Sequence, residues 1–200
     1  VEAAYQTILV IAGDKELKKI KMQTMWNLLE VCIKPIITYA AETWETTKKE
    51  NKAINGIYDK IIKRVLKLPT STPREVLYLE TKIIDIEHTK EKNQIMMLHR
   101  LQKTQNQLLT PILNNQENRA WAQKTKQLMT KYTEEDLLKM STHTAKQLLK
   151  KRTKKKNQED MTTAGSEKSK VKFYIENRTN NEKRPTYLDI LTRSEVSTIF

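Results

Sequence analysis

The sequence predicts an all-α fold, a helical bundle followed by a polar helical extension and a flexible linker. Only three glycines and five prolines occur in 200 residues, so few positions interrupt regular structure. Apolar residues recur every three or four positions along most of the chain, which is the spacing of a helix that buries one face. Both observations favour packed helices over strands.

The N-terminal part predicts two helices. Residues 1–12 are apolar and are followed by Gly13, a residue type that commonly ends a helix. A second helix begins near Asp14. Pro35 has no backbone N–H to donate, so it should kink or break this helix before the helical pattern resumes through Trp44.

A long amphipathic helix follows, with a capping-box pattern at Thr47 and Glu50 and an end signal at Pro69. Its apolar and basic residues fall on opposite faces, at about 100° per residue. The apolar positions are Ile54, Ile57, Tyr58, Ile61, Ile62, Val65 and Leu66, and the basic positions are Lys49, Lys52, Lys60, Lys63, Arg64 and Lys67.

Two interpretations fit this basic face. Any amphipathic helix exposes charges, but a solvated face usually mixes signs because Glu–Lys pairs four residues apart stabilise a helix. Here only Glu50 and Asp59 interrupt the run, which favours a surface that binds a polyanion. Gly56 lies on the same face; it is either a tolerated weak point, which we favour, or a position where the backbone approaches a phosphate closely.

The next elements are predicted from their start signals. Thr72-Pro73-Arg74-Glu75 has a capping residue, a proline in the first turn and a glutamate three residues on, so it predicts a short helix over 73–80. Asp85 begins another helix. Its expected core positions are Ile86, Ile95, Met97, Leu98 and Leu101, and a polar break follows at 114–118.

The chain then becomes more polar and ends its helical pattern in a basic run. A weak amphipathic helix contains Trp121 and Tyr132, and another helix begins at Thr142 or Thr144. It leads into Lys150, Lys151, Arg152, Lys154, Lys155 and Lys156. The run fits a nucleic-acid site, a nuclear import signal or a solvated helix end. The helix dipole favours two or three cations at a C-terminus, and six exceed that number.

These patterns divide the chain into four parts. Residues 1–113 form the bundle, 114–161 a basic helical extension, 162–185 a flexible linker, and 186–200 the start of a truncated following segment. The linker is expected from the Gly, Ser, Thr and Lys content of 162–170. Within it, Val171–Ile175 fits either a short strand or an apolar anchor.

Composition limits the partners and the compartment. The chain has 37 Lys and Arg against 24 Asp and Glu, a net charge of +13, which favours nucleic acid or anionic lipid as partner. The single cysteine, Cys32, excludes an internal disulfide. We expect it to be a small core residue in a nuclear or cytoplasmic protein that is not secreted. No apolar run has transmembrane length, and we expect both ends to be cuts through a longer protein.

Three stretches carry a resemblance to a known family. They are Tyr39-Ala-Ala-Glu-Thr-Trp44, Ile61-Ile-Lys-Arg-Val-Leu66 and Pro69-Thr-Ser-Thr-Pro-Arg-Glu-Val-Leu-Tyr78. In combination they resemble the region after the polymerase palm in reverse transcriptases of LINE-type (non-LTR) retrotransposons, most of all Dong-like elements with a restriction-like endonuclease. The resemblance covers residues 1 to about 113 well, and it implies that these residues are the thumb of an RNA-directed DNA polymerase.

The resemblance also implies what this chain lacks. The family's Mg²⁺-binding carboxylates lie in a Tyr-x-Asp-Asp motif, whereas Tyr58-Asp59-Lys60 has no second aspartate, so the palm should precede residue 1. The endonuclease and its Cys/His zinc motif should follow Phe200. His88, His99 and His143 have no metal-ligand spacing. We therefore expect no catalysis and no cofactor in this chain alone, with Mg²⁺ required only by the parent polymerase.

Two functions of different classes remain. In the first, the basic helix faces grip a template–primer duplex of RNA and DNA through its phosphates, without a membrane partner and without reading bases. In the second, the chain is a non-enzymatic, basic all-α scaffold that binds an acidic protein or an anionic membrane.

Overall fold

The computed structural model describes residue 6 and residues 22–66, 68–104, 120–133 and 137–177. Helix is the only regular secondary structure in these ranges, which confirms the all-α prediction. Except for Gln6, the predicted helix at 1–12 lies outside them, as do the polar break at 114–118 and the segment 186–200. Within these ranges, none of the helices combines the length and the hydropathy that crossing a bilayer requires.

The N-terminal half of the described chain contains five helices joined by short turns. Helix α1 spans Met22–Leu28 and continues through a π-helical turn, Leu29–Ile33, into α2, Lys34–Ile37. A 3₁₀ turn, Ala41–Thr43, precedes α3, Lys48–Val65. Then come α4, Arg74–Thr81, and α5, Ile86–Lys103.

In the described residues after 119, three further helices follow. Helix α6 spans Ala120–Tyr132 and is followed by a second 3₁₀ turn, Leu137–Lys139. Helix α7 spans Thr142–Ser166, and α8 spans Ser169–Asn177.

Pro35 neither ends nor interrupts the first helical stretch. It is the second residue of α2, which comes directly after the π-helical turn, and the helical stretch continues through it. In the π-helical turn before it, each backbone hydrogen bond spans five residues instead of the four of an α-helix, so the helix is wider there. Within this turn Leu29 and Ile33 take the buried positions and Cys32 is exposed, so the prediction that Cys32 is a core residue is wrong.

The buried apolar side chains form two clusters. The first joins α1–α4 to the start of α5, with Trp26, Tyr58 and Tyr78 at its centre, and it also takes in Met161 of α7. The second lies between the C-terminal half of α5, α6 and the N-terminal half of α7, and it contains Ile95. Full burial of one such large side chain stabilises a fold by about 1.5–3 kcal/mol.

Helix α5 is central, because it contacts α3, α6, α7 and both 3₁₀ turns. Being enclosed on several sides, it buries polar residues that a one-sided pattern would place outside. Gln94 Nε2 donates to the Trp44 carbonyl oxygen at 2.7 Å, and Lys131 Nζ donates to Glu91 Oε2 at 2.8 Å. These partners satisfy the buried groups, which would otherwise each be costly to desolvate. The predicted core positions Ile86, Ile95 and Leu98 are buried, but Met97 and Leu101 are only half-buried.

The expected division into a bundle and a separate basic extension is wrong. Helix α7 contributes Met161 to the first cluster and Ala145 and Leu149 to the second, so 137–161 shares its core with 22–104. A weak amphipathic pattern hid this role, since the inward residues of α7 are mostly small or polar.

The expected linker at 162–185 is also wrong over 162–177, and 178–185 lies outside the described residues. Helix α7 continues to Ser166, and α8 packs back on it with Val171 buried. The reason is Gly165, which has no side chain at the contact: an added Cβ would lie 2.6 Å from Ile175 Cδ1 and 2.8 Å from Val171 Cγ1. The glycine permits close packing, and 171–175 is helical and serves as an apolar anchor.

Candidate nucleic-acid interface

The basic face of α3 begins from a well-formed N-terminus. Glu50 N–H donates to Thr47 Oγ1 at 3.3 Å, and Thr47 N–H donates to Glu50 Oε2 at 2.7 Å, so the predicted capping box is confirmed. The Thr47 N–H and, at 2.8 Å, the Thr47 hydroxyl both donate to Glu50 Oε2, and these two hydrogen bonds are the main reason that the pKa of Glu50 lies below its usual value. The cap sets where α3 starts and therefore which residues face outward.

Most of the predicted cations on α3 face solvent. Lys49, Lys52, Lys60 and Arg64 are exposed. Lys63 is half-buried and donates its ammonium to the Thr70 carbonyl oxygen at 2.9 Å, so it also holds the turn after α3. Lys67 lies outside the described residues.

The opposite face of α3 is buried as predicted, with one exception. Tyr58, Ile61, Ile62, Val65 and Leu66 are buried and Ile54 is half-buried, but Ile57 is 49% exposed. The prediction for Ile57 is wrong because, at about 100° per residue, it lies only about 20° from the exposed Arg64, at the edge of the buried face. Asn55 is buried instead, and its Oδ1 accepts the Ile86 N–H at 3.1 Å.

The basic run lies in the middle of α7. The helix continues from Lys156 to Ser166, so neither a solvated helix end nor the C-terminal dipole accounts for these cations. The buried residues of α7 recur every four positions: Ala145, Leu149, Thr153, Asn157, Met161 and Gly165. The six basic residues of the run lie on either side of the buried Thr153 in sequence. Five of them are exposed and Lys156 is half-buried; the exposed ones are Lys150, Lys151, Arg152, Lys154 and Lys155.

Some charges of the run are neutralised within the helix. Lys156 Nζ lies 3.1 Å from Asp160 Oδ1. Lys155 Nζ lies 3.9 Å from Glu159 Oε1, at the limit of an ion pair. Exposed pairs of this kind contribute about 0.3–0.5 kcal/mol, so they leave these cations available to a stronger anion.

A buried polar network joins the two basic helices. Asp59 of α3 accepts the Tyr78 hydroxyl at 2.6 Å and lies 3.4 Å from Arg74 Nε. Arg74 Nη2 also donates to Asp85 Oδ2 at 2.8 Å. Asp85 caps α5 and accepts from His88 Nδ1 at 2.8 Å. The α3–α4–α5 part of the network thus holds the helix that carries the first basic face.

The network reaches α7 through the other nitrogen of His88. Its Nε2 lies 3.2 Å from Asp160 Oδ2, and a carboxylate at each ring nitrogen favours the doubly protonated imidazolium. Asn157 adds two hydrogen bonds, accepting from Asp85 N–H at 3.3 Å and donating to the Ile83 carbonyl at 3.1 Å. Consequently the basic face of α3 and the basic run of α7 belong to one packed unit.

The ionisation of the network follows from this geometry. Burial lowers the pKa of His88, but its hydrogen bond to Asp85 and the charges of Asp85 and Glu91 outweigh burial, so the pKa is raised. Burial disfavours the Asp85 carboxylate, yet His88 and Arg74 hold its pKa below the usual value. Burial raises the pKa of Asp59, which Arg74 and Tyr78 offset only in part.

A further group of lysines lies where α5 meets α7, and the sequence analysis missed it. His88, Lys92, Ile95 and His99 share one face of α5 at the spacing i, i+4, i+7, i+11. Both histidines on this face reach the α7 side, His88 at Asp160 and His99 Nε2 at the Met140 carbonyl, 3.4 Å away. The two helices are therefore antiparallel, and Lys92 faces the middle of α7.

The environment of Lys92 is positively charged. Burial lowers its pKa, and the ammonium groups of Lys34, Lys150 and Lys146 lower it further. The carboxylate that opposes them is Glu30, which Lys34 already binds at 3.1 Å. The sequence did contain a signal for this lysine group. Lys146 precedes Lys150 by one helical turn, and Lys92 lies between His88 and His99 on one face of its helix.

The residues with metal-binding chemistry have structural partners. Asp59 and His88 belong to the network above. Nowhere in the described ranges do three or more His, Cys, Asp or Glu side chains come close enough together to hold a metal ion. Comparison with known proteins gives no significant match to a family model, a curated protein or a solved structure.

Proposed function

We propose that this chain grips double-stranded nucleic acid, as the thumb and post-thumb region of a LINE-type reverse transcriptase holding the template–primer duplex. In this proposal the exposed cations of α3 and α7 contact sugar-phosphate groups and position the duplex. The polymerase chemistry and its Mg²⁺ belong to the parent protein outside this chain.

The observation that carries the proposal is the lack of ion pairs at three exposed lysines of α3. Within the described part of the chain, no carboxylate forms an ion pair with Lys49, Lys52 or Lys60. A face that served only to solvate a helix would gain from acidic partners one turn away. Unpaired ammonium groups in a row instead repel one another, and contact with phosphates relieves that repulsion. The same contact releases counterions from the nucleic acid, which favours binding.

The basic faces support contact with the phosphate backbone rather than base readout. Among the described residues, the strongly exposed aromatic side chains are Tyr39 and Phe173, at 80% and 70%. Neither lies on α3 or in the run of α7, so neither basic face offers a ring on which a base could stack. Lysines that reach only phosphates bind unrelated sequences about equally.

A second candidate is the basic scaffold that binds an acidic protein or an anionic membrane. The observation that favours it is the exposure of three apolar side chains on the π-helical turn, on α2 and in the turn after α2: Val31, Ile36 and Tyr39 are 71%, 43% and 80% exposed. Apolar side chains exposed together mark contact surfaces more often than solvated ones.

Binding to an RNA–DNA duplex and to phosphatidylserine vesicles, each titrated with salt, separates the candidates. The test variant changes the four exposed α3 cations to glutamine: Lys49, Lys52, Lys60 and Arg64. A charge-matched control changes four exposed lysines elsewhere: Lys103, Lys124, Lys170 and Lys172. A third variant changes the six basic residues of the run, Lys150–Lys156, and glutamine preserves the helix in each because it is a good helix former.

The proposal expects salt-dependent duplex binding that the α3 variant weakens about equally for unrelated sequences. Its salt slope should fall by roughly two to four units, at about 0.7–0.9 per phosphate, and the control should change little. If the α3 variant keeps its affinity and slope while the run variant loses both, the α3 face is only solvated. Binding to vesicles but not to duplex supports the scaffold instead.

A further inference from the structure

The lysines where α5 meets α7 form a group that shares only Lys150 with the basic run of α7. Lys92 comes from α5, Lys146 and Lys150 from successive turns of α7, and Lys34 from α2. Lys146 and Lys150 are exposed, whereas Lys92 is half-buried. Lys34, Lys150 and Lys146 are the positive charges that act on Lys92, so three separate segments of the chain contribute cations to its surroundings.

The partners of Lys92 do not neutralise it. In the described chain no hydrogen bond or ion pair joins its ammonium to another residue. Lys34, by contrast, donates to Glu30 and, at 2.9 Å, to the Ile84 carbonyl. A half-buried cation without an acceptor loses hydration and gains nothing in return.

The tertiary structure maintains this arrangement against repulsion. Lys92 faces α7 because His88 and His99, on the same side of α5, are held at Asp160 and at the Met140 carbonyl. The two contacts set the register of the antiparallel pair, and the register places Lys92 opposite the turns that carry Lys146 and Lys150. An anion between the three ammonium groups would supply the missing acceptors.

We propose that Lys92, Lys146 and Lys150 together clasp one backbone phosphate of the bound nucleic acid at the edge of the contact between α5 and α7. A phosphate has several acceptor oxygens and accepts short, charge-assisted hydrogen bonds from more than one ammonium. Nucleic acid is the source favoured here because Lys150 also begins the exposed basic run in the middle of α7, so the cluster is continuous with a path of cations. The inference rests on the proposed function and adds a defined contact to it.

The test compares two variants that remove the same charge. Lys92→Gln/Lys146→Gln removes two members of the cluster, and Lys151→Gln/Lys155→Gln removes two exposed lysines of the same helix outside it. Fluorescence anisotropy with a labelled RNA–DNA duplex should show a loss on the order of tenfold for the first pair and a clearly smaller loss for the second. Equal losses, or a smaller loss for the cluster pair, would overturn the cluster and leave the proposed function intact.

An alternative variant and an independent measurement control this test. If Lys92→Gln impairs folding, Lys146→Gln/Lys150→Gln replaces it, because both side chains are exposed. In the unmodified chain, NMR titration of ¹³Cε-labelled lysine should show that the Lys92 midpoint rises when duplex is added, and an unchanged midpoint contradicts the clasp. Failure of the unmodified chain to bind any duplex rejects the proposed function, and the clasp with it.

Discussion

Replacing Gly165 by alanine tests the packing of α8 on α7 directly. In a flexible linker this change would be harmless. In the structure the new Cβ meets Ile175 Cδ1 at 2.6 Å and Val171 Cγ1 at 2.8 Å, with Glu75 Cβ of α4 at 3.4 Å. We expect Gly165→Ala to destabilise the chain and to displace α8.

The size of the effect follows from two opposing contributions. Overpacking a close contact costs about 1–3 kcal/mol. The upper part of that range applies, because Ile175 can rotate its terminal methyl away but Val171 is β-branched and stiff at χ1. Alanine inside a helix gains about 1 kcal/mol over glycine. The net expected loss in the free energy of unfolding is therefore about 1–2 kcal/mol.

Gly56→Ala is the matched control, since Gly56 is the other helical glycine in the described residues. A Cβ there meets no atom within 4 Å, and neither residue has a positive φ. Only the higher helix propensity of alanine remains, so the free energy of unfolding of this variant should rise by about 0.5–1 kcal/mol. Urea unfolding of both variants, followed by circular dichroism, measures the two changes under identical conditions.

The refuting result is a stabilisation of similar size in both variants. It would mean that nothing packs against Gly165 and that residues 162–177 form the linker suggested by their composition. The Gly56 variant has a second use: unchanged duplex affinity would show that this glycine is a tolerated weak point rather than a site of close phosphate approach.

Three other predictions can be tested on the same material. The pKa of His88 is raised from its usual 6.5. The contribution of His88 to the stability of the fold is therefore complete below about pH 6.5 and is lost as pH rises through the higher pKa of the folded state. His88→Asn should flatten this part of the stability–pH curve. Limited proteolysis should spare 162–177 in the native state, and an early cut there would contradict the packing of α8. The isolated chain should extend no primer with Mg²⁺ or Mn²⁺, and extension by pure protein would show that it contains a polymerase site.

Local chemistry predicted several elements well. The capping box at Thr47 and the capping role of Asp85 depend on residues three positions apart, so their geometry forms within one helical turn. The start of α4 was predicted less well: Pro73 is its N-cap, and no side chain caps it, so Thr72 does not play the expected role. A cap pattern gives the position of a helix more reliably than the residue that satisfies it.

The errors have two physical origins, local helix geometry and contacts between distant segments. Cys32 is exposed within the π-helical turn and Ile57 at the edge of the buried face of α3, although apolar spacing predicted both to be buried. The inward side of α7 carries Thr153 and Asn157, whose polarity suggested a surface helix. Asn157 is buried because it bonds to Asp85 N–H and the Ile83 carbonyl, over seventy residues earlier in the chain.

The sequence by itself determined the helical class, the amphipathic division of α3 and the excess of positive charge, because these depend on residue types at short spacing. Only the tertiary structure decided that α7 and α8 complete the core, that Gly165 is a packing contact and that Lys92 meets Lys146 and Lys150. Those features depend on which helices become neighbours. That choice is made by the summed burial of two apolar clusters and by the network from Asp59 to Asp160, and no short stretch of sequence contains it.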